Sequence, residues 1–240
     1  MLYLDLPPLP PAECLAADEA WLDACEAGGS GERLLFWEPR EAFVVVGYAN
    51  KVDTEVNVAA CDVGGVPVFR RCSGGGTVVQ LPGGLNYSLI LRITETGPTR
   101  SISAANQFIM EKNRAALATL FPGAAISVRG HTDLCLGERK FAGNSQRRRK
   151  QFLLFHGTLL LDCNLQCISE LLRMPSLEPD YRASRPHAEF VTNLKVPAAP
   201  VKAALIREWG ATEESPAPSL DGIKKLAREK YLTREWNFKF

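Results

Sequence analysis

The sequence has neither a long apolar run nor an excess of charge of one sign. No stretch is long and apolar enough to span a bilayer, and residues 1–5 lack the basic start of a secretory signal. The 28 lysines and arginines against 27 aspartates and glutamates leave a net charge of +1. Such a balance gives no general attraction for nucleic acid or anionic membranes. We therefore expect a cytoplasmic protein that binds neither of them.

Several common metal-binding and catalytic motifs are also missing. The seven cysteines include no CxxC pair and are odd in number, which argues against a disulfide framework and against a zinc site. No glycine-rich loop ends in the Gly-Lys-Ser/Thr of a Walker A loop, and no Gly-x-Ser-x-Gly elbow is present. We expect reduced thiols, most of them packed as small hydrophobes, and no metal site.

The apolar periodicity of the chain alternates between helical and extended patterns. Helices are predicted over 12–26, 54–61, 101–120, 164–173, 200–209 and 220–231, the third of them after the candidate caps Ser101 and Ser103. Strands are predicted over 2–6, 34–37, 43–47, 66–69, 85–91 and, as two hairpins, 125–161. No linker divides the chain. We therefore predict one domain over residues 1–240, an α+β fold with a mixed, largely antiparallel sheet and flanking helices.

A glycine triplet interrupts the strand pattern near residue 75. The segment reads Arg70-Arg71-Cys72-Ser73-Gly74-Gly75-Gly76-Thr77. Consecutive glycines are costly inside a sheet, because each loses backbone entropy and packs no side chain. Two interpretations fit equally well. The loop can lay its N–H groups along an anionic ligand with arginines beside it, or it can be a tight turn whose arginines face water.

A second group of polar residues lies within the predicted hairpins. Lys140 is followed by small residues, which leave room for its ammonium to reach a bound anion, although most lysines are simply exposed. Asp133 stands in an apolar strand and needs a partner, for which Lys140 would serve. His156 is alone in an apolar run, as a hydrogen-bonded core histidine would be, and Gly157 beside it suggests close backbone approach. Residues 147–150 are interpreted as a solvated hairpin tip.

These segments together resemble the biotin/lipoate protein ligase catalytic-domain family, most closely its lipoate–protein ligase A branch. The resemblance covers roughly residues 30–195 and rests on the order and spacing of short motifs. The motifs are Arg70-Arg71-x-Ser73-Gly74-Gly75-Gly76-Thr77, Leu85-Asn86-Tyr87-Ser88, Asp133-Leu134, Gly137-x-Arg139-Lys140-Phe141-Ala142-Gly143-Asn144-Ser145-Gln146, His156-Gly157-Thr158-Leu159-Leu160, Met174-Pro175-Ser176, Tyr181-Arg182 and Thr192-Asn193-Leu194.

The resemblance implies a two-step reaction. The carboxylate of lipoate or octanoate would attack the α-phosphate of ATP and give acyl-AMP and pyrophosphate. A lysine amine of a lipoyl domain would then attack the acyl carbon and expel AMP. ATP, Mg²⁺ and lipoate are the implied cofactors and substrate. The implied acceptors are lipoyl domains of 2-oxoacid dehydrogenase subunits or the glycine-cleavage carrier protein, and the implied oligomeric state is a monomer.

The resemblance also implies site residues. The invariant lysine of the family falls on Lys140, whose ammonium would hold carboxylate and α-phosphate oxygens and stabilise the charge that develops in both transfers. The other positions would bind the substrates or shape the pocket, with one of the two arginines allowed a structural role. They are Arg70, Arg71, Ser73, Gly74, Gly75, Gly76, Thr77, Asn86, Asp133, Gly143, Ser145, His156 and Gly157.

Three departures from the family pattern affect the expected activity. Gln80-Leu81 stand where many ligases have a His-Asp pair, and Phe155-His156-Gly157 replaces His-His-Gly. About forty residues follow Pro200, too few for the C-terminal accessory domain that assists adenylate formation in long ligases. We therefore expect no accessory domain here. Adenylate formation would need a separate accessory protein, or the enzyme would transfer from preformed acyl-AMP.

Two alternatives stay open. An octanoyltransferase or lipoyl amidotransferase of the same fold would use a cysteine thioester. The segments where such enzymes carry the nucleophile read Arg173-Met174-Pro175-Ser176 and Ser127-Val128-Arg129, without cysteine, and we interpret Cys72 and Cys135 as packing residues. The second alternative is a non-catalytic protein that binds an acyl group or a lipoyl domain. Such a protein would not need a cation such as Lys140 beside the glycine loop.

Overall fold

The computed structural model describes residues 1–28, 31–215 and 220–240. The strands in these residues are Leu2–Asp5 (β1), Arg33–Trp37 (β2), Phe43–Val46 (β3), Val68–Arg70 (β4), Val78–Gln80 (β5), Gly84–Arg92 (β6), Ile126–Arg129 (β7), Asp133–Leu136 (β8), Arg139–Arg148 (β9), Phe152–Leu160 (β10) and Glu213–Glu214 (β11). The helices are Pro11–Glu26 (α1), Val52–Glu55 (α2), Val58–Gly64 (α3), Ile102–Ala118 (α4), Gln166–Leu171 (α5), His187–Phe190 (α6), Ala198–Trp209 (α7), Leu220–Leu226 (α8) and Arg234–Asn237 (α9).

The described strands form two sheets. The larger has eight strands in the order β11-β1-β2-β6-β10-β9-β8-β7, and the smaller has the order β4-β3-β5. Among the named strands of the described residues, only the pairings of β1 with β2 and β11, and of β3 with β4, are parallel. From β2 to β7 every neighbouring pair in the larger sheet is antiparallel. The predicted α+β fold with a mixed, largely antiparallel sheet is therefore confirmed.

Helices cover both faces of the larger sheet. Successive side chains of a strand point to opposite faces, so Leu34 and Leu35 enter different cores. The core on the side of Leu34 includes Ile109 of α4 and Leu205 of α7. The core on the side of Leu35 includes Leu22 of α1. Burial of both faces also explains why the pattern of the central strands is continuously apolar.

The smaller sheet packs between two cores as well. In β3, Val44 and Val46 belong to a core formed with α5, whereas Phe43 and Val45 belong to the core around α1. This double burial matches the lack of alternation in that strand. The glycine loop connects β4 to β5 of the smaller sheet. Both ends of the loop are therefore held by strands that pack between the two cores.

The sequence patterns predicted the C-terminal secondary structure only in part. The predicted helix over 220–231 is α8 followed by a π-helical turn, Ala227–Tyr231. Neither β11 nor α9 was predicted, because elements of two and four residues are too short to show a periodicity. No helix within the described residues has both the length and the apolar character needed to cross a membrane.

Candidate active site

The two polar groups singled out in the sequence meet above strands β9 and β10. These strands pair so that Ser145 stands opposite His156 and Gly143 opposite Thr158. The glycine loop lies against the same strands, since Ser145 Oγ donates to Gly74 O over 2.7 Å. The fold therefore gathers residues 70–77, 140–145 and 156–158 into one site.

Lys140 is held by the carboxylate predicted as its partner. Its Nζ lies 2.8 Å from Asp133 Oδ1, and both side chains keep partial contact with solvent. Tyr181 OH donates to the other oxygen, Asp133 Oδ2, over 2.7 Å. Burial and the Asp133 charge raise the pKa of the Tyr181 phenol, so this hydroxyl remains a donor. The predicted pairing of Asp133 with Lys140 is confirmed.

Gly143 supplies the space around the Lys140 ammonium. A Cβ atom at residue 143 would lie 2.8 Å from Lys140 Nζ and 2.9 Å from Cε. Any side chain there would therefore displace the lysine. Gly143 thus leaves room for the Lys140 ammonium, as the sequence analysis expected of the small residues that follow the lysine.

His156 is at the centre of a chain of polar side chains. Its Nε2 lies 2.5 Å from Ser73 Oγ, and its Nδ1 lies 2.7 Å from Asp18 Oδ2. Ser88 Oγ donates to Asp18 Oδ1 over 2.7 Å. With both ring nitrogens bonded, His156 is the hydrogen-bonded histidine that the sequence allowed, and it also orients Ser73 at the start of the glycine loop.

Asp18 was not predicted as part of the site. It lies in α1 and is only 2% exposed, next to the apolar stripe of that helix. A buried carboxylate needs a partner, and this requirement was the signal in the sequence. The partner His156 is 138 residues away in the chain, so local patterns could not identify it.

Asn86 belongs to a closed ring of three side chains. Asn86 Nδ2 donates to Gln80 Oε1 over 2.9 Å, Gln80 Nε2 donates to Thr158 Oγ1 over 2.9 Å, and Thr158 Oγ1 donates to Asn86 Oδ1 over 2.6 Å. Gln80 is one of the two residues that depart from the His-Asp pair of the family that the sequence resembles. In this chain it joins β5 to β6 and β10 below the glycine loop.

The structure corrects the expectation that Arg70 contacts phosphate. The residue is fully buried, and within the part of the chain that the structure describes its guanidinium donates only to backbone carbonyls. Those carbonyls belong to Gly47, Tyr48, Asn50, Trp236 and Asn237. With its donors used in this way, Arg70 is a structural residue at the root of the glycine loop.

Arg71 stabilises the glycine loop from its inner side. Its Nη2 donates to Gly74 O over 2.6 Å and to Gly76 O over 2.7 Å, and its Nε donates to Ser73 Oγ over 3.1 Å. Burial lowers the pKa of Arg71 to about 10, so the guanidinium is still charged at neutral pH. Its positive charge thus lies directly under the loop, although its donors bind protein atoms.

The three glycines differ in what surrounds them. Gly75 has φ +83°, and a Cβ there would lie 3.0 Å from Arg71 Nη2. A Cβ at Gly74 or Gly76 would meet no protein atom within 4 Å. Gly75 is thus required by the backbone, and the other two leave open space over the site. Thr77 Oγ1 is buried and has no hydrogen-bond partner among the described residues.

Gly157 approaches protein rather than open space. A Cβ at this position would overlap Asn144 Oδ1 and lie 2.9 Å from Gly143 O. The close approach suggested by the sequence is therefore the packing of β10 against β9. Asn144 also accepts from Tyr87 OH over 2.5 Å and donates to Thr132 O over 2.6 Å.

The interpretation of residues 147–150 as a solvated tip is wrong for Arg147. Its Nη1 donates to Cys72 O over 2.5 Å, which links the hairpin to the glycine loop. The tip itself is fastened to α1, because the carboxylate of Glu26 accepts from Lys150 N and Phe152 N, each over 3.0 Å. The predicted tip was correct in position, but its three arginine side chains are partly buried and bonded to neighbouring elements, and only Lys150 is exposed.

Comparison with known proteins identifies the family. The family model described as the lipoyl protein ligase A/B catalytic domain matches residues 10–208. The chain belongs to this family.

Two curated relatives carry names that describe different activities, and this chain is similar to both. It is 26% identical to lipoate-protein ligase A subunit 1 of Thermoplasma acidophilum, over 93% of this chain and 90% of that protein. It is 25% identical to octanoyltransferase LipM of Geobacillus kaustophilus, over 99% of this chain and 97% of that protein.

Two solved structures share the fold of this catalytic domain. One is a lipoate-protein ligase A bound with ATP, 27% identical over 99% of this chain and 98% of that one, with a TM-score of 0.79. The other is a bipartite lipoate protein ligase from Thermoplasma acidophilum, solved in work on that ligase and its E2 lipoyl domain. It is 25% identical over 99% of this chain and 95% of that one, also with a TM-score of 0.79.

Cys72 and Cys135, the two cysteines near the site of this family member, are poorly suited to nucleophilic chemistry. Burial raises the pKa of Cys72 to about 12, and burial also raises the pKa of Cys135. Both thiols are therefore protonated at neutral pH and shielded from solvent. Within the described residues Cys14, Cys61, Cys72, Cys135, Cys163 and Cys167 form no disulfide, and no three His, Cys, Asp or Glu side chains cluster as a metal site would require.

Proposed function

We propose that the protein is a lipoate–protein ligase that forms an acyl-adenylate. It would activate lipoate or octanoate with ATP and transfer the acyl group to a lysine of a lipoyl domain. The main support is the setting of Lys140. Its ammonium is paired with Asp133 at 2.8 Å, Gly143 leaves room beside it, and the same strand contacts the glycine loop through Ser145.

In the first step, a carboxylate oxygen of the acyl substrate attacks the α-phosphorus of ATP. The bond between the α-phosphorus and the bridging oxygen breaks, and pyrophosphate leaves. Lys140 would bind oxygens of both reacting groups, which reduces their mutual repulsion and stabilises the charge of the transition state. Mg²⁺ is expected to arrive on the ATP phosphates, as is usual for this ion. Asp133 is the carboxylate beside Lys140.

In the second step, the neutral amine of the acceptor lysine attacks the acyl carbon. The amide bond forms, the bond from the acyl carbon to the AMP phosphate oxygen breaks, and the proton of the amine passes to water. No side chain of the enzyme becomes acylated. Lys140 would stabilise the departing AMP by the same contacts that it made in the first step.

The Asp133–Lys140 pair suggests how the empty site is kept ready. A cation without a partner would be costly in a partly buried position. When the anionic substrates bind, their oxygens can replace Asp133 as partners of the ammonium. Asp133 then keeps the hydrogen bond from Tyr181 OH. The exchange leaves no charge of the pair without a partner.

An octanoyltransferase is the second candidate, supported by the full-length similarity to LipM. The cysteines favour the ligase. Cys72 and Cys135 are buried with raised pKa values, and the two segments where the thioester enzymes carry their nucleophile have no cysteine.

The proposed partners are a lipoyl domain as acceptor and a separate accessory protein for adenylate formation. The chain corresponds to 90% of a protein named as one subunit of a ligase, and one solved relative is described as bipartite with an E2 lipoyl domain. We propose that residues 1–240 form one catalytic domain that acts as a monomer apart from these partners.

The test is the intact mass of a purified apo lipoyl domain after incubation with the protein. One reaction contains lipoate, ATP and Mg²⁺, a second contains octanoyl-acyl carrier protein without ATP, and a third contains synthetic lipoyl-AMP. A lipoyl gain in the first or only in the third supports the ligase, the latter with a missing accessory protein. A gain only in the second overturns the proposal in favour of the octanoyltransferase.

A further inference from the structure

The last residues of the chain bind the root of the glycine loop. Residues 233–240, here called the C-terminal segment, include Trp236, whose indole Nε1 donates to Arg70 O over 2.8 Å. Arg70 N donates to Asn237 Oδ1 over 2.9 Å, and Arg70 Nη2 donates to Asn237 O over 3.0 Å. Both polar groups of the Arg70 backbone are therefore bonded to this segment.

Arg70 connects the C-terminal segment to the loop of residues 47–50. Its Nη1 donates to the carbonyls of Gly47, Tyr48 and Asn50 over 2.9, 3.1 and 2.7 Å. Three carbonyls converging on one nitrogen fix the path of this loop, because any shift would leave buried acceptors or donors without partners.

The loop of residues 47–50 in turn contacts the glycine loop. Tyr48 N donates to Ser73 O over 2.8 Å. A Cβ at Gly47 would overlap the carbonyl oxygen of Gly75, so the two loops touch backbone to backbone. The position of residues 73–75 therefore depends on the position of residues 47–50.

Aromatic and cationic side chains reinforce the connection at the surface. The ring of Tyr48 lies 5.9 Å from that of Trp236 and 6.3 Å from that of Phe240. Lys239 Nζ lies 3.6 Å from the centre of the Tyr48 ring, a favourable cation–π contact. The C-terminal segment thus holds residues 47–50 from their exposed side as well as through Arg70.

We propose that the C-terminal segment is a positioning element of the glycine loop. Acting through Arg70 and residues 47–50, it fixes the loop in the arrangement that binds the acyl-adenylate. This inference rests on the proposed function, which makes the glycine loop an adenylate-binding element. The family match ends at residue 208 and assigns nothing to this segment. Trp236 and Asn237 are positioning residues, and Arg70 transmits their effect.

The experiment compares two Trp→Phe substitutions in the full chain. Trp236→Phe keeps an aromatic ring and removes the N–H that Arg70 O accepts. Trp21→Phe is the matched control, because the indole N–H of Trp21 is buried without a hydrogen-bond partner in the described residues. Hydrogen exchange of the amides in residues 47–50 and 70–77 is measured without substrates. Steady-state transfer from synthetic lipoyl-AMP to an apo lipoyl domain by the same proteins gives KM for lipoyl-AMP.

We expect exchange about fivefold faster in both segments of Trp236→Phe, the factor for one lost neutral hydrogen bond. KM should rise by a similar factor and kcat should change less, while Trp21→Phe should match the wild type. Unchanged exchange and KM in Trp236→Phe would overturn the positioning role. If that variant does not fold, Lys239→Met tests the link from its exposed side, and unchanged exchange in residues 47–50 would overturn it.

The two proposals can fail separately. Exchange is measured in the absence of substrate, so it does not depend on what the protein catalyses. Faster exchange in Trp236→Phe together with no acyl transfer by the wild type would overturn the proposed function and leave the mechanical link standing. Normal ligation with unchanged exchange would do the reverse.

Discussion

At the scale of single residues, the proposed chemistry depends on one ammonium group whose position is set by two nearby residues and one distant residue of the chain. Asp133 pairs with Lys140 at 2.8 Å, and Tyr181, 48 residues after Asp133, donates to the same carboxylate. Gly143 leaves the space that the lysine side chain occupies. The four residues therefore act as a unit in which each fixes the position of another.

Replacing Lys140 by glutamine should abolish most of the acyl transfer. Loss of a charged group that stabilises the transition state costs about 100- to 1,000-fold in rate. The intact-mass assay measures this loss, and circular dichroism checks the fold. Lys150→Gln, at an exposed lysine of the hairpin tip, is the control and should keep wild-type activity. Retained activity in Lys140→Gln would contradict catalysis by this residue.

Tyr181→Phe should weaken substrate binding without unfolding the protein. With one donor fewer, Asp133 would hold Lys140 more strongly, and the anionic substrates would compete less well for the ammonium. A lost hydrogen bond to a charged group corresponds to a rise of about tenfold in the KM for synthetic lipoyl-AMP, measured as transfer to an apo lipoyl domain. Tyr3→Phe, on β1, is the control. A KM equal to that of the wild type would show that the hydroxyl does not position the pair.

At the scale of secondary-structure elements, local signals in the sequence had direct counterparts in the fold. Ser101 caps α4, since its side chain accepts from Ala104 N over 3.2 Å. Pro11 stands at the first position of α1, where its missing N–H costs nothing. Both helices were predicted within two residues of their observed starts, α1 from its helical spacing and α4 with Ser101 as a candidate cap.

Ser101→Ala should lower the free energy of unfolding by about 1 kcal/mol, the usual cost of losing an N-cap side chain. Urea unfolding followed by circular dichroism measures the change. Ser103→Ala is the matched control, because Ser103 is exposed within the helix, where alanine is the better helix former. An equal loss in both variants would contradict the capping role of Ser101.

At the scale of the whole molecule, burial decides which thiols can react. Of the seven cysteines only Cys167 is partly exposed, and the others lie in the cores. The position of Cys72 inside the core that includes α1 and α8 explains its raised pKa. The burial of these thiols favours the adenylate reaction, because a thioester reaction needs an accessible, reactive cysteine.

Iodoacetamide at pH 8 should modify Cys167 in the folded protein and the remaining cysteines only after unfolding. A buried thiol with a pKa of about 12 is almost fully protonated at that pH. Peptide mass analysis of samples with and without urea measures the modification. Rapid reaction of Cys72 in the folded protein would contradict its assignment as a packing residue and would favour the thioester reaction.

The sequence by itself determined the elements and the chemical character of the site. Apolar periodicity and end signals specified the main helices and strands, and burial cost required a partner for Asp133, which is Lys140. Asp133 and Lys140 lie on neighbouring strands that are close in the sequence, so their pairing could be inferred from local patterns. The family motifs added the expected roles, of which Arg70 as a phosphate ligand did not agree with the structure.

Only the tertiary structure decided which polar groups face a ligand and which face protein. Arg70 and Arg71 are adjacent and chemically identical, yet Arg70 binds the carbonyls of two distant segments while Arg71 binds the glycine loop. The pairing of His156 with Asp18 joins residues 138 positions apart. Contacts of this kind depend on how helices and sheets pack, because a buried polar group bonds to whatever partner the packing brings near. No local pattern in the sequence contains that information.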